Sequence, residues 1–183
     1  MSKNKNNSRS KSKYHKKYGA GTLILHAYRH TNGKITMCVA LGFEYSVSPS
    51  DERYLTYSIS SGSSLRKDGT YKGSPHLWNT AKRELREEFK NIKIDMGNQR
   101  KPDLHIGRTP IWIGHVRKGV RQSSFIPNNE MSDFRYVLLS DMLKPSYDYH
   151  NHKYIVRTIR GKWVHVSKYA LSVVRKAKQL YLI

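Results

Sequence analysis

Between His76 and Asn91 the chain reads His-Leu-Trp-Asn-Thr-Ala-Lys-Arg-Glu-Leu-Arg-Glu-Glu-Phe-Lys-Asn, and that spacing specifies a helix. At about 100° per residue, Leu77, Trp78, Ala81, Leu85 and Phe89 fall within about 120° of one another, the apolar stripe of a helix laid on a core. The same geometry sets Glu84, Glu87 and Glu88 within about 100° on the adjoining flank, because side chains three and four apart are neighbours on a helix. Crowded carboxylates repel one another unless a cation neutralises them, and hard oxygen donors of this kind are what Mg²⁺ or Mn²⁺ takes up. The alternative is a solvated face on which Arg83 and Arg86 pair with the glutamates.

The crowding stands out because acids are scarce. The 183 residues hold 34 Lys+Arg against 13 Asp+Glu, a net charge of +21 and a pI near 10.1. Such an excess calls for a polyanionic partner, most often nucleic acid, although an anionic membrane surface or an acidic protein would satisfy the same charge. The length fits one domain with a tail and a sizeable core. No apolar run approaches the roughly 20 residues that a bilayer span needs, and the basic N-terminus lacks a signal-like apolar segment, so the expectation is a soluble, intracellular, cytoplasmic protein with no membrane partner. The single Cys38 lies in the apolar run Met37 to Leu41, which suits a small core residue and leaves no partner for an intrachain disulfide.

Residues 1 to 18 form a Lys/Asn/Ser tail with seven basic residues and no acidic one. With almost nothing apolar to bury, it is expected to be disordered alone, with Lys11, Lys13, Lys16 and Lys17 available to phosphates. A single domain is expected over 19–183. Gly21 to Tyr28 reads as a strand, Asn32-Gly33 as a hairpin turn and Lys34 to Phe43 as the returning strand. His26 and His30 in this stretch read as packing groups. Gly62 to Gly73 reads as a flexible loop whose backbone, with Arg66 and Lys67, suits the cradling of phosphate oxygens. Leu104 to Val116 reads as one strand.

Towards the C-terminus, Tyr147 to Tyr154 interleaves aromatic and basic groups, a composition suited to stacking on bases beside phosphates. Lys153 to Val166, split by Arg160-Gly161, reads as a basic hairpin. Tyr149, Lys153, Arg157, Arg160 and Lys162 are the nucleic-acid contacts expected there. Ser167 reads as the N-cap of a last helix with Ala170, Val173, Val174, Ala177, Leu180 and Tyr181 on its apolar stripe.

Arg-Glu-Leu-x-Glu-Glu at positions 83 to 88 resembles the helical half of the Nudix box: Gly, five residues, Glu, seven residues, Arg-Glu, an aliphatic, any residue, Glu-Glu, any residue, Gly, an aliphatic. The resemblance extends over roughly 19–145. Tyr54 to Gly62 looks like the strand that leads into the family's glycine loop. Asn129 to Leu143 resembles the late segment in which a Glu-containing loop feeds a strand and then a helix start. The family's pattern is broken before the helix: counting back from Arg83 puts Pro75 where the box has Glu and Gly69 where it has Gly, and if Gly62 is the loop glycine instead, Leu65 to Ser74 contains an insertion; Lys90 and Asn91 stand where the box has Gly and an aliphatic. In Nudix hydrolases that Glu helps to fix the loop and the neighbouring arginine.

The resemblance implies an α/β (α+β) fold, an α/β/α sandwich with a mixed central sheet. It also implies that Glu84, Glu87 and Glu88 hold Mg²⁺ or Mn²⁺, which activates water against a pyrophosphate. Glu130 would be a further ligand or the base, and Gly62, Arg66, Lys67 and Arg83 would meet the phosphates. Joined to the basic excess, this points to a pyrophosphohydrolase acting on the 5′ end of RNA, capped or triphosphorylated, as in mRNA decapping. The alternative is a Nudix-fold protein that binds RNA or DNA without hydrolysis.

Overall fold

The computed structural model describes residues 14–44, 55–71, 74–98, 100–117, 126–128 and 131–183. In chain order the elements are β1 Tyr14–Arg29, β2 Ile35–Glu44, β3 Tyr57–Ser58, β4 Ser60–Leu65, a 3₁₀ turn Arg66–Asp68, β5 Thr70–Tyr71, β6 Ser74–Pro75 and α1 Leu77–Glu88. Then come β7 Ile94–Asp95, β8 Leu104–Ile106, β9 Thr109–Val116, β10 Met131–Leu138, α2 Leu139–Leu143, β11 Ser146–Asp148, β12 Lys153–Arg157, β13 Trp163–Val166 and α3 Lys168–Gln179.

β1 is the axis of a mixed sheet. It pairs antiparallel with β2 (Ile24 opposite Ala40) and β4 (Ala20 opposite Gly62), and parallel with β9 (Leu23 opposite Ile113). β10 lies antiparallel to β2, β7 and β8 extend β9, and β3 joins β13 in parallel to carry the β11-β12-β13 meander. The parallel β1–β9 pair needs a crossover, and α1 lies within the chain that makes it.

Strand residues alternate between faces, so each strand feeds two cores. Leu23 and Leu25 of β1 join Val39, Leu41, Val156 and the α3 residues Leu171, Val173, Val174 and Ala177 on one side. Ile24 joins Cys38, Ala40, Leu85, Phe89, Phe134 and Tyr136 on the other. The result is helix, sheet, helix in three layers, as the sequence led us to expect. Among the described residues no helix is long and apolar enough to cross a membrane.

The Asn32-Gly33 turn forms as read, with Gly33 at φ +81° and the Asn32 Oδ1 accepting from the Lys34 N–H at 3.1 Å. His26 stacks on Tyr136, ring centroids 4.5 Å apart, and His30 bonds Thr36, so both are packing residues. Four local expectations change. β1 begins at Tyr14, so the strand takes in the last residues of the basic 1–18 stretch; residues 1–13 lie outside those described. Gly62 sits inside β4 rather than in a loop, because its backbone is paired to Ala20.

Leu104 to Val116 is a hairpin, since Gly107 at φ +56° turns the chain between β8 and β9. The α3 stripe stops short of Leu180 and Tyr181, which are exposed. Tyr181 takes a left-handed φ of +55° and the Leu182 N–H returns to the Ala177 carbonyl at 3.0 Å, which closes the helix before those side chains can pack.

Candidate active site

The sheet gives α1 a fixed seat beside β4. Trp78, Ala81, Leu85 and Phe89 are buried as the stripe requires, and the two flanking acids follow them in: Glu84 is 8% exposed and Glu88 3%. Glu87 keeps about a third of its side chain in solvent. Glu84 and Glu88 are thus turned towards β4, and Glu87 stands at the edge in part contact with water.

Arg83 ties Glu84 and Glu87 to Asp68. Its Nε donates to Asp68 Oδ1 at 2.8 Å, Nη1 to Glu87 Oε2 at 2.5 Å, and Nη2 lies 2.7 Å from Glu84 Oε1 and donates to the Ser63 carbonyl at 2.9 Å. Lys67 Nζ reaches the other Glu87 oxygen at 3.1 Å. The pairing of Arg83 with the glutamates therefore occurs, but in a half-buried network, and Arg86 stays exposed.

Asp68 corrects the reading that the box has lost its first acid. It follows Gly62 by six residues, the box's own spacing from Gly to Glu, with one methylene fewer. Its carboxylate accepts from the Leu65 N–H at 2.8 Å, Thr80 Oγ1 at 2.9 Å and Arg83, so it fixes both the loop and the arginine. The fourteen residues 69–82 then separate it from Arg83, where the box has seven, and the excess is taken up by the β5–β6 hairpin. Burial alone would raise the Asp68 pKa, but the bonds from Arg83, Leu65 and Thr80 and the arginine's charge outweigh it and hold the carboxyl below its usual range.

Gly62 is required by contact. A Cβ there would stand 2.1 Å from the Glu84 carboxyl carbon and from Oε1. Since the obstructing atoms end a flexible side chain, Gly62→Ala is expected to fold, losing about 1 kcal/mol. The displaced Glu84 carboxylate should cut any cation-induced rise in melting temperature to below half of the wild-type value, read by thermal melts with and without Mg²⁺.

Glu88 carries the tension of the site. Burial first, then the negative charge of Glu44, push its pKa well above the ordinary carboxylate value, against the pull of Ser60 and the Ser61 backbone N–H. Its Oε2 is buried with no hydrogen-bond partner among the described residues, and a buried acceptor left unpaired costs free energy. An all-oxygen donor set with an orphaned carboxylate oxygen fits a hard divalent cation. Among the described residues no three His, Cys, Asp or Glu side chains form a ready-made cation cage. Glu130 lies outside those described, as do Lys11, Lys13 and the side chains of Lys16, Lys17 and Arg66.

Solved structures similar to this fold include proteins named as Nudix hydrolases or as Nudix-family proteins. They include RenU of M. Smegmatis, at 12% identity and TM-score 0.49, over 90% of this chain and 85% of that one. A MutT/nudix family protein of Enterococcus faecalis matches at 11% and 0.47, over 90% of this chain and 61% of that one. A mutT/nudix family protein of Listeria innocua matches at 13% and 0.44, over 90% and 93%. No family model matches the sequence, and no curated protein matches it either.

The remaining site residues are dispersed. Lys67 and Arg83, read as phosphate contacts, direct their cations at the α1 carboxylates. Tyr149 is exposed in the β11–β12 turn, with Lys153 at the start of β12. Arg157, Arg160 and Lys162 lie at or beyond the other end of that strand, roughly 15 Å away at about 3.3 Å per residue. Arg157 is tied to Asp141 through Nε at 2.9 Å and Nη2 at 3.2 Å and lies 5.7 Å from the Trp163 ring centroid. Arg160 and Lys162 are exposed. Sequence reasoning missed Asp68, for which the six-residue step from Gly62 was the available signal, and Glu44, for which there was none.

Proposed function

We propose that this chain is a Nudix-type pyrophosphohydrolase that uses Mg²⁺ or Mn²⁺ and acts on the 5′ end of RNA, capped or triphosphorylated. The observation that carries the reading is the buried Glu84–Glu88 pair on α1, with an orphaned Glu88 oxygen, beside an Arg83 fixed by Asp68. Glu84 and Glu88, with Glu87 at their edge, would hold the cation. When bound there, such an ion lowers the pKa of a water and neutralises charge on the pyrophosphate.

The chain's own groups divide the rest of the work. Asp68 holds Arg83, and Arg83 holds Glu84 and Glu87, so the carboxylates are oriented before substrate arrives. Glu130, or a glutamate of α1, accepts the proton of the attacking water. In support of Glu130, the residue two before it, Asn128, donates through Nδ2 to the Glu88 carbonyl at 3.1 Å, and its Oδ1 accepts from the Met131 N–H at 2.9 Å. Lys11, Lys13, Lys16 and Lys17, with Tyr149, Lys153, Arg160 and Lys162, would hold the RNA body by phosphate contact and stacking.

A specific observation favours a second reading, an RNA- or DNA-binding Nudix fold without hydrolysis. Arg83 and Lys67 already neutralise Glu87 and part of Glu84 from within the chain. One experiment separates the two. Capped and 5′-triphosphorylated RNA are incubated with the full chain and Mg²⁺, Mn²⁺ or EDTA, and the released phosphates and nucleotides are resolved. Product with either cation and none in EDTA is the expected result. Tight binding that weakens steeply with salt, with no product under any cation, removes the hydrolase and leaves the binding protein.

A further inference from the structure

On the face that β2 turns towards α3, apolar residues recur at every second position: Ile35, Met37, Val39 and Leu41. Val39 and Leu41 are fully buried in the core that α3 closes, whereas Ile35 is 55% exposed and Met37 41%. The stripe thus runs two apolar positions past its cover. It ends in a groove of about 770 Å³ between the start of β2, α2 and the turn after β12. Leu139, Leu143 and Ile159 continue its aliphatic lining, and no Phe, Tyr or Trp lines it. None of Glu84, Glu87 and Glu88 lines it either.

The backbone beside the groove is open as well. The His30 N–H donates to the Lys34 carbonyl at 2.8 Å, and bonded and unbonded pairs alternate along an antiparallel ladder. With Arg29 opposite Ile35 and Tyr28 opposite Thr36, Ile35 turns its N–H and C=O away from β1. β10 covers that edge only from Cys38, opposite Leu138, onwards, because the chain leaves the sheet there to form α2. Among the described residues no strand pairs with the outer edge of Ile35. A free strand edge beside uncovered aliphatic side chains suits the addition of another strand. Charge selects which strand. No Asp or Glu lines the groove, and Lys34 and Arg157 stand exposed in its walls. Arg157 is committed to the buried Asp141 through Nε at 2.9 Å, so Lys34 sets the sign. An aliphatic lining gives a base no ring to stack on, which favours a peptide over nucleic acid. The net charge of +21 opposes a second copy of this chain.

We propose that this groove docks an extended acidic peptide of a partner protein. The peptide continues the line of β10 along the outer edge of Ile35. Its aliphatic side chains face as Ile35 and Met37 do, and its Asp and Glu side chains, at the alternate positions, face as Lys34 does. Such docking does not rest on the hydrolase reading, since the acidic helix flank takes no part.

The test is fluorescence polarisation of the full chain against a synthetic library of capped, labelled peptides in which Asp or Glu alternates with Val, Ile or Leu. The tightest acidic members are expected to bind at least tenfold more tightly than the same peptides with Lys at the acidic positions. N-methylation of alternate peptide bonds should abolish binding in one register and be tolerated in the other, as an added strand requires. Ile35→Ser with Met37→Ser should weaken the tightest peptide about tenfold, and Lys34→Glu about fivefold. Leu180→Ser and Lys176→Glu, exposed at the end of α3 and just beyond it, should change it less than twofold. Melting curves establish that each variant is folded; if the Ile35 and Met37 double variant is not, Lys34→Glu and the N-methyl series decide the matter. A library with no binding member, N-methylation without effect in either register, or equal loss with the α3 variants overturns the site. A single-stranded oligoribonucleotide that displaces the peptide, and itself weakens with Ile35→Ser and Met37→Ser, overturns it in favour of nucleic acid. Self-association in sedimentation that the same double variant removes overturns it in favour of a second copy.

Discussion

Arg83→Ala is expected to cost about 3–5 kcal/mol, the range for removing one partner of a buried charge network, and to lower the melting temperature by roughly 6–20 °C for a domain of this size. The side chain is 14% exposed and bridges Asp68, Glu84 and Glu87. Burial alone would weaken its charge, but the hydrogen bonds to Asp68 and Glu87 and the charges of Glu84 and Asp68 more than reverse that and keep it charged. Without it, Asp68, Glu84 and Glu87 crowd one another, with the exposed Lys67 the remaining cation paired to them among the described residues. Lys67→Ala should cost under about 1 kcal/mol, since its pair with Glu87 is solvated.

The pH dependence has a defined sign. Asp68 has a folded pKa below its ordinary 3.8, so the folded state binds its proton less readily than the unfolded one. The stability this adds is present above about pH 4 and is lost as pH falls through the folded value. The gap between wild type and Arg83→Ala should therefore be widest near neutrality and narrow in acid. Denaturant titrations at pH 7 and pH 3 measure both ends. A gap under about 1 kcal/mol at pH 7 would show the network to be a solvated surface, as the alternative reading of the sequence had it.

What the sequence made legible follows from periodicity. The 3.6-residue stripe of Trp78, Ala81, Leu85 and Phe89 places α1 and, by its flank, Glu84, Glu87 and Glu88. The two-residue alternation of Leu23, Ile24 and Leu25 makes β1 a strand buried on both faces, and Asn32-Gly33 fixes its hairpin. Three other features were hidden for physical reasons. Gly62 lies in a Gly/Ser run that has loop composition, yet it is a strand residue because its backbone pairs with Ala20, and it is glycine because the Glu84 carboxylate leaves no room for a Cβ. Asp68 was obscured by the β5–β6 insertion, which moves the acid away from the arginine in sequence while Thr80 and Arg83 bring it back in space. The groove at Ile35 and Met37 joins β2 to α2 and to the turn after β12, which no local pattern connects.

Glu88→Gln should move stability and catalysis in opposite directions. Folded Glu88 keeps its proton to a pH above the ordinary carboxylate value of 4.5, so the folded state binds more protons than the unfolded one. Wild-type stability accordingly falls as pH rises from about 4.5 towards that raised value. Glutamine has no charge to desolvate and can donate from the position of the orphaned oxygen. In EDTA at pH 7 it should be more stable by about 1–3 kcal/mol, with the gain shrinking in acid.

Adding Mg²⁺ or Mn²⁺ should reverse the order, because a cation that binds only the folded wild type stabilises it by mass action, about 2.7 kcal/mol at a hundred times Kd. The variant, lacking one oxyanion, should gain much less. Hydrolysis of 5′-triphosphorylated RNA should fall about a thousandfold, equivalent to roughly 4 kcal/mol of lost transition-state stabilisation. The trade is the one expected where a destabilised charge is kept for function. Glu88→Gln that is less stable than wild type in EDTA, with an undiminished response to cation, would remove Glu88 from the site and with it the main reason to place a metal on α1.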